Sequence, residues 1–147
     1  LILCSKARNL FVELSVFHTQ HLSQISHHQG QHMTTITIWH NPRCSKSRTA
    51  LALLEERGVE ATQVKYLETP PSEGEIKHTL SLLGVFAINL VRRGEATFKE
   101  LNLSSNTAED ELINAMASNP ILIERPVIIS ATRAVIGRPP ENALTLL

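Results

Sequence analysis

His40-Asn41-Pro42-Arg43-Cys44-Ser45-Lys46-Ser47-Arg48 lies between a short β-branched run, Ile36-Thr37-Ile38-Trp39, and a strongly helical one, Thr49 to Arg57. Strand, tight turn and helix in that order leave the first backbone N–H groups of the helix unpaired and facing the turn. Aligned peptide dipoles add partial positive charge there, which favours an anion. The anion this sequence supplies is Cys44 as a thiolate. Arg43 is adjacent, and Arg48 lies four residues on, where helical side chains lean back toward the N-terminus. His40 and Lys46 are expected to add to the positive surroundings. A cysteine so placed has a pKa below the free value of about 8.5 and is nucleophilic at neutral pH. A lone cysteine is by default a small buried apolar filler. The flanks of Cys44 are polar and cationic, however, and a turn before a helix is a poor place for a filler. Cys44 is read as the catalytic nucleophile, with His40 and Arg48 supporting its thiolate.

Outward from this stretch the pattern stays regular. Thr35 to Trp39 is short, β-branched and ends at a turn signal, as a buried strand does. Ser47 to Arg57 predicts a helix with Ala50, Leu51, Leu53 and Leu54 on its apolar side, stopped by Gly58. Ala61 to Leu67 alternates, with Thr62, Val64 and Tyr66 on one side, as a second strand. Strand, helix, strand implies a right-handed crossover and a parallel pair. After Thr69-Pro70-Pro71, Ser72 and Glu75 stand in capping-box relation and open a helix that runs to Gly84. Short helical turns are expected over Ala87–Arg93 and Phe98–Leu103. Thr107 with Asp110 predicts another N-cap, opening a helix that ends before Asn119-Pro120. Pro126–Ile129 and Ala134–Gly137, joined by a polar turn, read as a β-hairpin. A last helix opens at Arg138-Pro139-Pro140-Glu141, with proline where a first turn tolerates it. The order βαβ, helices, ββα describes an α/β fold with a thioredoxin-like mixed sheet and a helical insertion between its halves.

Composition bounds the function. At 147 residues the chain holds one domain with a proper core. Its 14 basic and 14 acidic residues cancel, so charge gives no argument for nucleic acid or an anionic membrane. No apolar run approaches the roughly 18 residues that a membrane helix needs. The two cysteines, Cys4 and Cys44, do not form a disulfide framework, and a cytoplasmic location is expected. Residues 1–32 differ from the remainder: five of the seven histidines sit there among Ser and Gln, with no sustained period. Their spacing matches no metal site of fixed geometry. The run Leu10 to Phe17 is too short, and too polar at Glu13, for a signal peptide. Residues 1–32 are expected to be a non-native or disordered extension, with the functional domain spanning 33–147 and starting at Met33. Without them 12 basic residues face 13 acidic ones, a net charge of −1.

Four separated motifs in 33–147 resemble one family: His40-Asn41-Pro42-x-Cys44, Tyr66-Leu67-Glu68-Thr69-Pro70, Asn119-Pro120-Ile121-Leu122-Ile123-Glu124-Arg125-Pro126 and Gly137-Arg138-Pro139. Together they look like the glutaredoxin-coupled ArsC-type arsenate reductases, in the branch called YfgD-like. The resemblance implies a cytoplasmic thioredoxin-like protein in which one cysteine attacks arsenate. It implies three substrate-binding arginines, which match Arg92, Arg125 and Arg138, a histidine near the cysteine, matching His40, and a cis Arg125–Pro126 bond. Planar guanidinium groups suit such an oxyanion because their paired N–H donors match its oxygens. No metal or organic cofactor is called for. Relatives coupled to thioredoxin resolve the intermediate with further cysteines, whereas here Ser47 takes the second place of a C-x-x-C spacing. An external thiol must finish the reaction, with glutathione as co-substrate and glutaredoxin as partner, and a monomer is expected. Glutathione would reduce a Cys44–arsenate adduct to a Cys44–As(III) species, glutaredoxin would take the glutathione, and arsenite would leave.

In one place the chain departs from that pattern. Arsenate reductases of this type usually carry Gly-Thr-Ser-Arg after the cysteine, whereas Ser45-Lys46-Ser47-Arg48 follows here. Serine for glycine removes backbone freedom, and lysine for threonine adds charge. Two other functions stay open on sequence grounds. One is a glutathione-linked thiol-disulfide oxidoreductase using Cys44 alone on another substrate. The other is a non-enzymatic transcription regulator like the Spx-type proteins, which share the fold and bind RNA polymerase.

Overall fold

The computed structural model describes residues 35–147; the extension expected over 1–32, and Cys4 within it, lie outside the described residues. A four-stranded mixed sheet carries the fold. Its strands are β1 (Thr37–Trp39), β2 (Thr62–Val64), β3 (Val127–Ile129) and β4 (Ala134–Ile136), in spatial order β2-β1-β3-β4. β1 runs parallel to β2, with Trp39 opposite Val64, and antiparallel to β3, with Trp39 opposite Val127. β3 and β4 form the expected antiparallel hairpin. This is a thioredoxin-like sheet. The strands are shorter than their sequence signals because the pairing frays into single bonds at the ends, such as Thr62 N–H to Ile36 C=O at 2.8 Å.

Alternation along the central strands divides the core in two. Ile36, Ile38 and Ile128 face α1 (Ser45–Glu56) and pack with its Ala50 and Leu54 and with Ala143 and Leu146 of the C-terminal segment. That segment is a 3-10 helix, Pro140–Leu146, where sequence suggested an α-helix. On the opposite face Trp39 and Val127 join the helical block: α2 (Glu73–Leu83), α3 (Ala87–Leu90), α4 (Ala96–Glu100) and α5 (Glu109–Ser118).

The caps explain most boundaries. At α2 the expected capping box is complete: Ser72 Oγ accepts from Glu75 N–H and the Glu75 carboxylate accepts from Ser72 N–H at 2.8 Å. Gly84 ends this helix in the left-handed conformation at φ 65°, which glycine adopts without a Cβ penalty. At α5 the N-cap is Ala108, not Thr107. Thr107 Oγ1 instead accepts from Ser104 N–H at 2.8 Å and closes the preceding turn, a local bond that competes with capping. α3 stops at Leu90, short of the expected Arg93, because Val91 pairs with Ile123 in an isolated bridge and Arg92 N–H donates to Leu122 C=O at 2.7 Å. Tyr66, expected on the second strand, lies in the turn beyond it and is fully buried.

Gly137 lets the end of β4 pass close beneath Pro126. A Cβ there would sit 2.7 Å from Pro126 Cγ and 2.9 Å from Ile128 Cδ1. A rigid ring on one side leaves little room to adjust, so Gly137→Ala is expected to destabilise the fold by about 1–3 kcal/mol, the usual cost of overpacking. Urea denaturation of the two proteins measures it.

Candidate active site

The turn before α1 is built almost wholly from its own polar groups. Asn41 C=O accepts from Cys44 N–H at 2.9 Å, and Asn41 Oδ1 accepts from Arg43 N–H at 2.9 Å. The hydroxyl of Ser47 ties both ends together. It accepts from Asn41 N–H and lies 3.0 Å from His40 Nδ1. The contact with His40 Nδ1 runs in either direction, because the hydroxyl keeps a proton to donate and a second lone pair with which to accept. Ser47 is completely buried, so a side chain in the second place of a C-x-x-C spacing is a structural pin.

Cys44 is the N-cap of α1, which therefore begins at Ser45, two residues earlier than the sequence suggests. Its extended backbone, φ −91° and ψ 120°, sets the half-buried thiol over the N-terminus of the helix. The sulfur closes no formal capping hydrogen bond. Burial alone would raise the thiol pKa, but the N–H groups of Ser47 and Lys46, with the Arg125 guanidinium, outweigh it and hold the pKa below the ordinary value.

Three guanidinium groups gather from distant segments. Arg125 Nη1 donates to Tyr66 Oη at 3.4 Å, and its Nε is buried with no acceptor. Arg138 donates through Nε to Glu124 Oε2 at 2.8 Å and to Arg125 C=O at 3.1 Å. Arg92 pairs with Glu95 and reaches Glu124 Oε1 at 3.5 Å. Glu124 thus holds one arginine on each oxygen. Burial and the charge of Arg125 pull the Arg92 pKa down, while Glu124 opposes them, which puts the guanidiniums within electrostatic reach of one another. Both Arg125–Pro126, as expected, and Arg138–Pro139 are cis. The neighbour Arg93 points to solvent.

This geometry belongs with a set of known proteins. Residues 39–146 match the ArsC family. The chain belongs to the ArsC family. It is 47% identical over 117 residues to an arsenate reductase of Neisseria meningitidis, covering 78% of this chain and 100% of that one. It is 48% identical over 114 residues to YfgD of Escherichia coli, covering 76% and 96% respectively. The solved structure of an arsenate reductase from Vibrio cholerae superposes with a TM-score of 0.75 at 46% identity, over 78% of this chain and 98% of that one.

Burial lowers the His40 pKa, against the expected positive charge beside the thiolate, and the positive charges of Arg48 and Lys65 lower it further. Arg48 braces the turn, donating through Nη1 to Pro42 C=O at 2.8 Å. Tyr66 and Glu124 were not singled out as site residues by sequence reasoning. The partners of Glu124 are Arg92 and Arg138, both distant in the sequence, so no local signal marks it, and nothing local marks Tyr66. Among the described residues no cluster of His, Cys, Asp and Glu could hold a metal ion.

The buried, neutral His40 carries a pH consequence. Its folded pKa lies below the ordinary 6.5, so between the two values the unfolded chain binds more protons than the folded one. This contribution to stability is present above pH 6.5 and is lost as pH falls through the folded pKa. An NMR titration of the His40 ring is expected to give a midpoint below 6.5, with a urea midpoint that declines over the same acid window.

Proposed function

We propose that this protein is a cytoplasmic arsenate reductase that draws its electrons from glutathione and glutaredoxin. The observation that carries the reading is a pKa-lowered cysteine at a helix N-terminus beside a guanidinium that has an unused buried donor. Similarity to arsenate reductases of high coverage supports arsenate as the oxyanion.

In the proposed cycle the Cys44 thiolate attacks As(V) and an arsenic oxygen leaves as water, forming a sulfur–arsenic bond. Arg92, Arg125 and Arg138 neutralise the oxyanion while charge shifts onto its oxygens, as preorganised donors do. Glutathione adds to arsenic as a second water leaves. The glutaredoxin thiol then attacks the glutathione sulfur and departs as a mixed disulfide. The electron pair of the broken S–As bond stays on arsenic, which becomes As(III). Hydrolysis releases arsenite and returns Cys44. The sum is arsenate plus two thiols giving arsenite, one disulfide and one water. Ser47 cannot close an internal disulfide, which supports an external thiol. His40 and Arg48 serve by shaping the turn that carries Cys44.

Cys44→Ser is expected to abolish glutathione- and glutaredoxin-dependent arsenite formation without lowering the melting temperature, because the alcohol is not ionised at neutral pH. Arg125→Ala should weaken arsenate binding by roughly 1.5–3 kcal/mol, the range for hydrogen bonds to a charged group. Arg138→Ala falls at or below the lower end, since its side chain is 41% exposed and solvent screens it. Arg93→Ala should leave binding unchanged. Turnover with glutathione that ignores arsenate but reduces mixed disulfides would instead support a general thiol-disulfide oxidoreductase.

A further inference from the structure

Two buried donors where Arg125 meets Tyr66 find no acceptor among the described residues. One is Arg125 Nε. The other is the hydroxyl proton of Tyr66, whose oxygen accepts from Arg125 Nη1 at 3.4 Å. A guanidinium can only donate, so that contact occupies a lone pair of the phenol and leaves its O–H to be satisfied elsewhere. Tyr66 is fully buried, where a polar group without a partner costs free energy comparable to a lost hydrogen bond. Packing does not explain the hydroxyl. The ring lies in the apolar cluster with Trp39, Leu122 and Val127, which phenylalanine would fill as well. The oxygen feels Arg125, Arg92 and Cys44, the groups that bound the site, and burial keeps the proton on it at neutral pH.

We propose that the Tyr66 hydroxyl donates a hydrogen bond to the oxyanion bound beside Cys44, next to the donor that Arg125 Nε offers. The inference rests on the reading of this pocket as an oxyanion site. A neutral donor suits the task for a physical reason. The Arg125 charge is shared between the thiolate and the oxyanion, whereas a phenol adds a directional bond with no further net charge. A tetrahedral anion that presents an oxygen to both Tyr66 and Arg125 is thereby held in one orientation over the sulfur.

Tyr66→Phe removes the hydroxyl alone. Alkylation of Cys44 by iodoacetamide, followed at rising arsenate concentration in the full chain, reads oxyanion occupancy without turnover. The variant is expected to need about tenfold more arsenate for half-protection, the lower range for a bond to a charged group. Its melting temperature, and the pH midpoint of alkylation without arsenate, should not change. Tyr66 is the one tyrosine of the chain, so a tyrosine labelled at Cζ gives a single NMR resonance. In the wild type that resonance should shift with arsenate and saturate where protection does, which keeps the test decisive if the variant folds poorly. Equal protection in both proteins, or a resonance indifferent to saturating arsenate, overturns the proposal. A raised thiol midpoint with unchanged protection also overturns it, by giving the hydroxyl to the thiolate. A wild-type protein that arsenate does not protect defeats the oxyanion-site reading itself, and the Tyr66 assignment with it.

Discussion

The site depends on one hydroxyl. Ser47 Oγ binds Asn41 N–H and His40 Nδ1, both across the turn, and so fixes where the strand ends and where the helix begins. With the turn pinned, Cys44 becomes the N-cap and the N–H groups of Lys46 and Ser47 fall beneath its sulfur. The lowered thiol pKa follows from that placement and from Arg125, not from the number of cations nearby in sequence. Arg43, Lys46 and Arg48 are exposed, and Arg48 braces the turn through the Pro42 carbonyl. His40, buried and with a lowered pKa, belongs to the same lattice through its contact with Ser47 Oγ.

Three arginines cannot be assembled without compensation, because like charges in a partly buried site repel and resist desolvation. Glu124 supplies it, with Arg138 on one carboxylate oxygen and Arg92 near the other, and Glu95 holds Arg92 from the far side. These pairs orient Arg92 and Arg138 before any ligand arrives. Arg125 is different: no carboxylate pairs with it among the described residues, its Nη1 rests on the neutral Tyr66 oxygen, and its Nε stays uncommitted. It is the arginine whose positive charge also bears on Cys44.

The departure Ser45-Lys46 is benign in the backbone. Ser45 is the first residue of α1, and the one non-glycine residue with positive φ among the described residues is Asn102, far along the chain. Nothing at Ser45 calls for glycine. Lys46 makes no ion pair among the described residues and lowers the thiol pKa through its backbone N–H, a contribution independent of side-chain identity.

The sequence by itself determined the local frame. β-branched runs, the Ser72–Glu75 capping box, Gly84 and the hairpin signals located the strands and helices to within a few residues, because caps and periodicity are short-range properties. It also marked Cys44 as a candidate, since a cysteine between a strand and a helix start meets the unpaired N–H groups of that helix. Tertiary structure decided which charges reach that cysteine. Arg92, Arg125 and Arg138 come from three separate segments, and only the sheet order and the close pass of Gly137 under Pro126 bring two of them together. It decided as well that burial lowers the His40 pKa, that Ser47 is a pin, and that Tyr66 is fully buried with Arg125 against its hydroxyl. Burial and hydrogen-bond partners are set by groups distant in the chain, and no local pattern of residues records them.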